Sequence, residues 1–314
     1  MTTSVLCPPE RILDWRRRMV GLLLAIGAAV AMGGAAPALK KLGSTGLSAV
    51  NVVQARTVTG AVVLLTLALV LRRGRMRVGR RDWWLVGGYG LVSLAVNQVV
   101  FTTALARLPV GVALLLEYLA PVLVALWVRF VQRGTVSGLV WVGMAGTLLG
   151  LGLVGRVWAG FALDGVGFAL GLLAAATLAA RFVLAERGLR RHDPLVLAAW
   201  GTTVSAGALL LTGLVEPFPM ALLAREGTGL PTIALVLWVG LVGTAGGVLL
   251  VMAAQRWLAP TSASLVLTLE VVAGAGMAYV VLGETPTVAQ LMGGVVMLAG
   301  IAMAQLAITR RGPT

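Results

Sequence analysis

The chain has 314 residues, of which 59% are hydrophobic and only 11% are charged. Soluble domains contain about 45–50% apolar and about 25% charged residues, and the mean hydropathy here is +0.97. So few polar residues cannot cover a soluble fold, and the same composition excludes disordered and collagen-like chains. We therefore predict a protein that lives in the lipid bilayer.

The net charge is +14, which in a soluble protein would suggest a nucleic-acid partner. Here the basic residues stand mostly in short gaps between apolar runs, so we predict a topological role for them and no nucleic-acid binding. The single cysteine, Cys7, allows no internal disulfide, and the single histidine, His192, lies in a charged loop where we expect it to be solvated. We expect no metal site and no cofactor.

Ten apolar runs follow one another along the chain, and each is close to the 20 residues that a membrane-spanning helix needs. The predicted fold class is therefore an all-α polytopic membrane protein with ten transmembrane helices. Numbered one to ten, the predicted spans cover residues 19–38, 48–71, 83–105, 110–130, 136–155, 165–184, 194–214, 232–254, 261–282 and 286–307.

The distribution of lysine and arginine predicts the orientation of these spans. With the N-terminus in the cytoplasm, cytoplasmic segments hold 19 basic residues, Arg181 among them, and exterior segments hold 5. Basic residues keep loops in the cytoplasm, and an even number of spans returns the chain to its starting side. We predict that both termini are cytoplasmic.

The two halves of the chain resemble each other weakly. In span four Pro109 precedes the mid-span Glu117, and in span nine Pro260 precedes the mid-span Glu270. Because each half has five spans, an odd number, the halves must be inverted repeats, as is typical of secondary transporters. The predicted organisation is an N-terminal cytoplasmic segment, a first five-helix repeat, a connecting loop, a second five-helix repeat and a cytoplasmic tail: 1–18, 19–155, 156–164, 165–307 and 308–314.

Two carboxylates lie deep in apolar sequence. At about 1.5 Å per residue, Glu117 lies about 12 Å beyond Pro109 and Glu270 about 15 Å beyond Pro260. Inserting each costs about 2.5–3.5 kcal/mol, so both are candidates to exchange protons or to bind a substrate ammonium. The alternative is a carboxylic acid that stays protonated and only forms a hydrogen bond with a neighbouring helix.

Other polar residues and one proline are candidates for the same site. Arg56 lies about 12 Å into span two, where it can bind a substrate carboxylate or a glutamate, form a structural ion pair, or extend towards the interface. Asn97 and Gln98 in span three either line the site or bond neighbouring helices. Pro121 has no backbone N–H to donate to the carbonyl oxygen of Glu117, and this missing hydrogen bond predicts a helix break there.

Six glycines in spans five and ten predict close helix packing rather than a ligand site. They are Gly143, Gly146, Gly150, Gly293, Gly294 and Gly300. The chain has no P-loop, zinc-protease or nucleophile-elbow motif. We therefore expect no catalytic residues and no enzyme activity.

The motif around the first carboxylate resembles a known family. The segments Ala106-Arg-Leu-Pro-Val-Gly-Val-Ala and Leu116-Glu117-Tyr-Leu-Ala-Pro121 are similar to the fourth-span motif of the threonine/homoserine exporters, which belong to the EamA family of the drug/metabolite transporter superfamily. Leu269-Glu270 and Leu282-Gly283-Glu284 resemble the ninth-span motif. The resemblance implies a central cavity surrounded by spans one, three, four, six, eight and nine, with spans five and ten at the periphery.

The expected function is export of a small metabolite, an amino acid or a similar amphiphile, across the bacterial cytoplasmic membrane. The expected mechanism is alternating access, with proton antiport as the energy source and a passive facilitator as the alternative. Two alternative functions remain open: export of cationic drugs by the same fold, and a membrane scaffold that transports nothing. The expected partners are a small-molecule substrate and the bilayer, and a homodimer is one open arrangement.

Reporter fusions test the predicted orientation. A reporter that is active only in the periplasm should be silent when fused after residue 314 and active when fused after Leu105, because span three should end outside. Activity at the C-terminus with silence after Leu105 would invert the topology.

Overall fold

The computed structural model describes residues 9–43, 45–105, 107–108, 110–154, 164–213, 217–224, 231–283, 285 and 287–310. Within these residues the fold is helical, and nine helices are long and apolar enough to cross a membrane. The fifth predicted span is a shorter apolar helix of 17 residues, Gly138–Val154. The prediction of an all-helical polytopic membrane protein is confirmed.

In the first half, spans three and four are each divided into shorter helices. The first span continues as a helix back to Pro9, so residues 9–18 extend it. The helices are α1 (Pro9–Gly34), α2 (Ala36–Gly43), α3 (Ala49–Leu71), α4 (Trp83–Gly90), α5 (Asn97–Leu105), α6 (Val110–Glu117), α7 (Ala120–Leu126) and α8 (Gly138–Val154).

In the second half, spans eight and nine are divided in the same way. The helices are α9 (Gly165–Leu189), α10 (Pro194–Thr212), α11 (Thr232–Trp238), α12 (Gly247–Gln255), α13 (Pro260–Leu267), α14 (Leu269–Leu282) and α15 (Val288–Arg310). Spans six, seven and ten are single helices.

The divided spans are interrupted by irregular backbone. A π-helical stretch, Leu91–Val96, joins α4 to α5, and another, Val239–Gly246, joins α11 to α12. Both stretches lie in the third span of their half of the chain. Stretches of this kind are frequent at functional sites because they expose or redirect backbone groups.

The surface of the bundle is largely apolar, and several polar side chains lie in its interior. Leu149 and Val295 are 68% and 63% exposed, whereas the hydroxyl-bearing Ser93 and Ser205 are fully buried. Large apolar side chains can face outwards without penalty only where the surroundings are themselves apolar. This pattern agrees with a multi-pass position in lipid.

The helices pack in a pattern that repeats between the two halves. Span one packs against spans eight and nine, and span six packs against spans three and four. Span two packs against span seven, and span five against span ten. Each contact therefore has a counterpart between the equivalent spans, which are numbered five higher or five lower.

Two matching contacts occur at the starts of spans four and nine. A methyl group at Gly21 in span one would lie 2.8 Å from Cγ of Leu258, just before span nine. A methyl group at Gly167 in span six would lie 2.9 Å from Cγ of Leu108, just before span four. In both places a leucine therefore fits where glycine leaves room.

Spans five and ten form a close antiparallel seam. Glycines along α8 meet α15 in reverse order: Gly143 lies against Gly300, and Gly150 lies against Gly293. A methyl group at Gly143 would lie 2.6 Å from the carbonyl oxygen of Gly300, so the two backbones touch. Gly294 takes no part, since a methyl group there would meet nothing within 4 Å.

The seam makes Gly150→Ala destabilising. The new methyl group would lie 2.5 Å from the carbonyl oxygen of Gly293, and such overpacking costs about 1–3 kcal/mol. Thermal unfolding in detergent should therefore shift to lower temperature. In the matched control, Gly294→Ala, the methyl group meets open space, and stability should stay level or rise because alanine favours helix. Equal behaviour of the two variants would contradict the close seam.

The start of α9 is capped by Asp164. Its Oδ1 accepts a hydrogen bond of 2.9 Å from the backbone N–H of Gly167, and its Oδ2 lies 3.3 Å from Nη1 of Arg107. The Gly167 hydrogen bond and then Arg107 hold the pKa of the Asp164 carboxyl below its ordinary value. The cap therefore links the start of span six to the loop before span four.

A lowered pKa means that this carboxylate stabilises the fold above the unfolded-state pKa, and that the contribution is lost as pH falls through the folded-state pKa. Lowering the pH through and below about 4 should therefore reduce the unfolding temperature of the wild type more than that of Asp164→Asn, which keeps a capping side chain without a titrating charge. Parallel acid profiles for the two proteins would show that the ionised cap contributes nothing.

Candidate functional site

Polar side chains from five spans meet inside the apolar bundle, and we call them the central polar cluster. All lie within helices or in a helix break and come from spans two, three, four, six and nine. Its members are Arg56, Asn97, Gln98, Glu117, Tyr118, Thr177, Arg181 and Glu270.

Glu117 is the last residue of α6 and is only 9% exposed. Nδ2 of Asn97 lies 3.3 Å from Oε1 of Glu117 and donates to it. The same nitrogen lies 3.0 Å from the carbonyl oxygen of Ala174 and 3.1 Å from Oγ1 of Thr177. Asn97 thus connects the carboxyl group on span four to the backbone of span six.

Tyr118 links the two membrane-embedded glutamates. It follows Glu117 directly, and its hydroxyl donates a hydrogen bond of 3.1 Å to Oε2 of Glu270. The helix is interrupted at Tyr118 and Leu119 and resumes at Ala120, with Pro121 in the first turn of α7. From this break the Tyr118 side chain reaches Glu270 in span nine, so one side chain connects the acidic positions of the two halves.

Glu270 lies in the first turn of α14, directly after the break between α13 and α14. Its backbone is in close contact with span one, since a methyl group at Gly33 would lie 2.6 Å from the Glu270 carbonyl oxygen. Unlike Glu117, its side chain keeps part of its surface accessible. Free N–H groups at a helix start favour a negative charge, and free carbonyls at a helix end oppose one. The two carboxyl groups therefore occupy different electrostatic settings.

Arg56 points into the bundle. One of its Nη atoms donates a hydrogen bond to Oε1 of Gln98, and Nε2 of Gln98 lies 3.4 Å from Oγ1 of Thr57. The charge of Arg56 acts on both Glu117 and Glu270. Arg56 and Gln98 both keep some accessible surface. The predicted residues of span two and span three are thus brought together with the two acids.

Arg181 is the charged site residue that the sequence prediction missed, and the uncharged Tyr118 and Thr177 were missed with it. The charge distribution predicts a cytoplasmic position for Arg181, but it lies within α9 and is only 6% exposed. Helix α9 continues to Leu189, eight residues further, so Arg181 is about 12 Å from its end. Its charge acts on Glu117 and Glu270. The signal was its position inside the apolar run 165–184.

The four ionisable groups are held apart rather than paired. Among the described residues, no ion pair within 4 Å joins Arg56 or Arg181 to Glu117 or Glu270. The glutamates instead accept bonds from neutral donors, as described above. Within the described chain no group of three or more metal-ligating side chains forms a metal site.

A second polar cluster lies away from the centre, where loops meet at one end of the bundle. Asp82 forms an ion pair of 2.7 Å with Arg191, and Asp193 lies 3.4 Å from Arg72. His192, which we expected to be solvated, has a side chain only 11% exposed, with Nε2 at 3.1 Å from Asp82. The prediction was wrong because neighbouring loops cover this residue. These contacts place the loop before span three and the loop before span seven on the same side.

A multi-pass helical bundle with acids and arginines inside its membrane-spanning segments, and with interrupted spans, defines a class of membrane protein that handles polar solutes within lipid. The family comparison is more specific. The model of the EamA-like transporter family matches residues 19–156 and again residues 165–305. The chain therefore belongs to the EamA-like transporter family, and the predicted family is confirmed.

Individual relatives agree with this assignment. An uncharacterised transporter from Archaeoglobus fulgidus is 28% identical over 230 residues, which cover 72% of this chain and 78% of the relative. A crystal structure with no functional description matches with a TM-score of 0.76 at 18% identity, covering 93% of this chain and 99% of the other. At that identity the match establishes the shared fold alone. The protein is a multi-pass membrane transporter.

Proposed function

We propose that this transporter exports an amino acid or a similar small amphiphilic metabolite across the bacterial cytoplasmic membrane by alternating access coupled to protons. The observation that carries the proposal is the hydrogen bond from Tyr118 to Glu270, with Glu117 as the preceding residue. It joins one membrane-embedded acid from each half of the chain at a helix break. Buried carboxyl groups of this kind can exchange protons or bind a substrate ammonium.

We infer that the two halves are inverted repeats with both termini in the cytoplasm. The repeated packing of spans n and n + 5, and the matching contacts of Leu108 and Leu258, support the inverted arrangement. Moving Arg181 into span six leaves 18 cytoplasmic basic residues against 5 outside. That asymmetry still favours cytoplasmic termini.

The division between regular and interrupted spans supports alternating access. Spans five and ten pack as an uninterrupted seam of touching backbones, which suits a fixed frame. Spans three, four, eight and nine contain breaks or π-helical stretches, and spans three, four and nine also carry members of the central polar cluster. Irregular backbone of this kind is suited to gating movements around a substrate site.

The energetics are sufficient for proton-driven export. A membrane potential of about 150 mV contributes about 3.5 kcal/mol for each charge that crosses. This corresponds to a concentration gradient of a few hundredfold. One titrating glutamate is enough to couple the inward movement of a proton to the outward movement of the substrate.

A purely cationic drug fits the central polar cluster less well. Such a cargo needs an acidic site without competing positive charge, and Arg56 would then have to point away. Instead Arg56 and Arg181 act on the same two glutamates. Their positive charges repel a cation that has no anionic group of its own.

Glu117→Gln should reduce proton-coupled export at least tenfold while leaving expression and thermal stability nearly unchanged. Glutamine keeps the size and polarity of the side chain and its bond to Asn97, but it cannot titrate. The measurement is uptake of labelled amino acids into inside-out proteoliposomes with an imposed pH gradient. Glu270→Gln should act in the same direction.

Glu186→Gln serves as the matched control. Glu186 forms a 3.0 Å ion pair with Arg190 near the end of α9, so its substitution should leave transport unchanged. Wild-type rates with unaltered pH dependence in Glu117→Gln would make Glu117 structural. If Glu270→Gln also behaves as the wild type, proton coupling is abandoned.

A further inference from the structure

Arg181 has hydrogen-bond donors that nothing in the described structure uses. Although the side chain is 94% buried, Nε and Nη2 have no hydrogen-bond partner. The Tyr89 hydroxyl lies close enough to Arg181 to interact with it, yet it is buried and forms no hydrogen bond of good geometry with Arg181 or with another described group. Leaving a buried charged donor without a partner is costly. Such a group is normally satisfied by an anion or by water.

The glutamates do not fill this position. Glu117 accepts from Asn97, and Glu270 accepts from Tyr118. Both glutamates interact electrostatically with Arg181, yet neither forms an ion pair with it in the described structure. Opposite charges in a low-dielectric interior attract strongly and approach each other unless other bonds hold them. Here neutral donors hold the acids apart from the guanidinium group.

A guanidinium group and separate carboxyl groups are complementary to a molecule that carries both an anionic and a cationic group. We propose that Arg181, with the Tyr89 hydroxyl beside it, is an anion-binding subsite that receives the carboxylate of the transported substrate. This inference rests on the proposed transport function and narrows its substrate class to molecules with a compact anionic group. The guanidinium N–H groups donate to the carboxylate oxygens, as arginine does in most carboxylate sites.

The subsite also assigns separate roles to the two arginines. Arg56 already donates to Gln98 and is held by it, although its Nε has no hydrogen-bond partner. Arg181 has two N–H positions without a partner. The substrate anion therefore binds Arg181, and Arg56 contributes its charge to the shared field.

The experiment compares amino acids with their carboxamides, which differ only in lacking the anionic group. Transport of L-threonine, L-leucine and L-phenylalanine, and of the three carboxamides, is measured in proteoliposomes for the wild type, Arg181→Gln, Arg181→Lys and Arg190→Gln. Arg190 is the matched control, since its side chain is 71% exposed near the end of the same helix.

The expected result is at least tenfold preference of the wild type for an amino acid over its carboxamide. This preference should collapse in Arg181→Gln, recover in part in Arg181→Lys and persist in Arg190→Gln. A structural role for Arg181 would instead lower transport of acid and amide equally. Equal transport of acid and amide by the wild type would overturn the anion subsite while leaving transport itself intact.

A binding measurement separates failure of the subsite from failure of the transport proposal. If none of the six compounds is transported, the proposed cargo is wrong. The subsite is then judged by thermal stabilisation of purified protein with sodium acetate, succinate or phosphate against sodium chloride at equal ionic strength. Stabilisation of the wild type that is lost in Arg181→Gln supports it, and identical responses of the two proteins overturn it.

Discussion

The structure depends on the cost of placing charge inside an apolar bundle. Two arginines and two glutamates lie within transmembrane helices, where a charge without compensation is expensive. Two basic and two acidic side chains meet there, and Asn97, Gln98 and Tyr118 hold three of them in place. Spans two, three, four, six and nine must therefore converge.

The same constraint explains where the backbone is irregular. Polar backbone groups freed by a helix break are tolerated in a membrane only when protein surrounds them. The break at Tyr118 and Leu119 and the break at Thr268 both lie beside the central polar cluster. Away from the cluster, α8 and α15 are uninterrupted, and their glycines let the two backbones touch. The helix breaks therefore lie where protein surrounds the backbone, and the uninterrupted helices lie where two backbones pack against each other.

The sequence by itself determined the membrane class, the order of the helices and most of the central polar cluster. Uninterrupted apolar runs can only be buried in lipid, and a helix satisfies its own backbone there, so local composition suffices. Ionisable or amide side chains inside such a run are conspicuous, which is why Glu117, Glu270, Arg56, Asn97 and Gln98 could be named in advance. Whether they act in transport stays a prediction.

Only the tertiary structure decided which of these side chains meet and which charge was missing. Arg181 lies near the end of an apolar run, so its sequence context resembles that of an arginine at the edge of a loop. Only the length of α9 and the packing around it bury the charge. His192 looked solvated because its cover comes from Asp82, 110 residues away. The Tyr118–Glu270 bond joins residues 152 positions apart. Contacts of this range depend on helix packing, which no local pattern encodes.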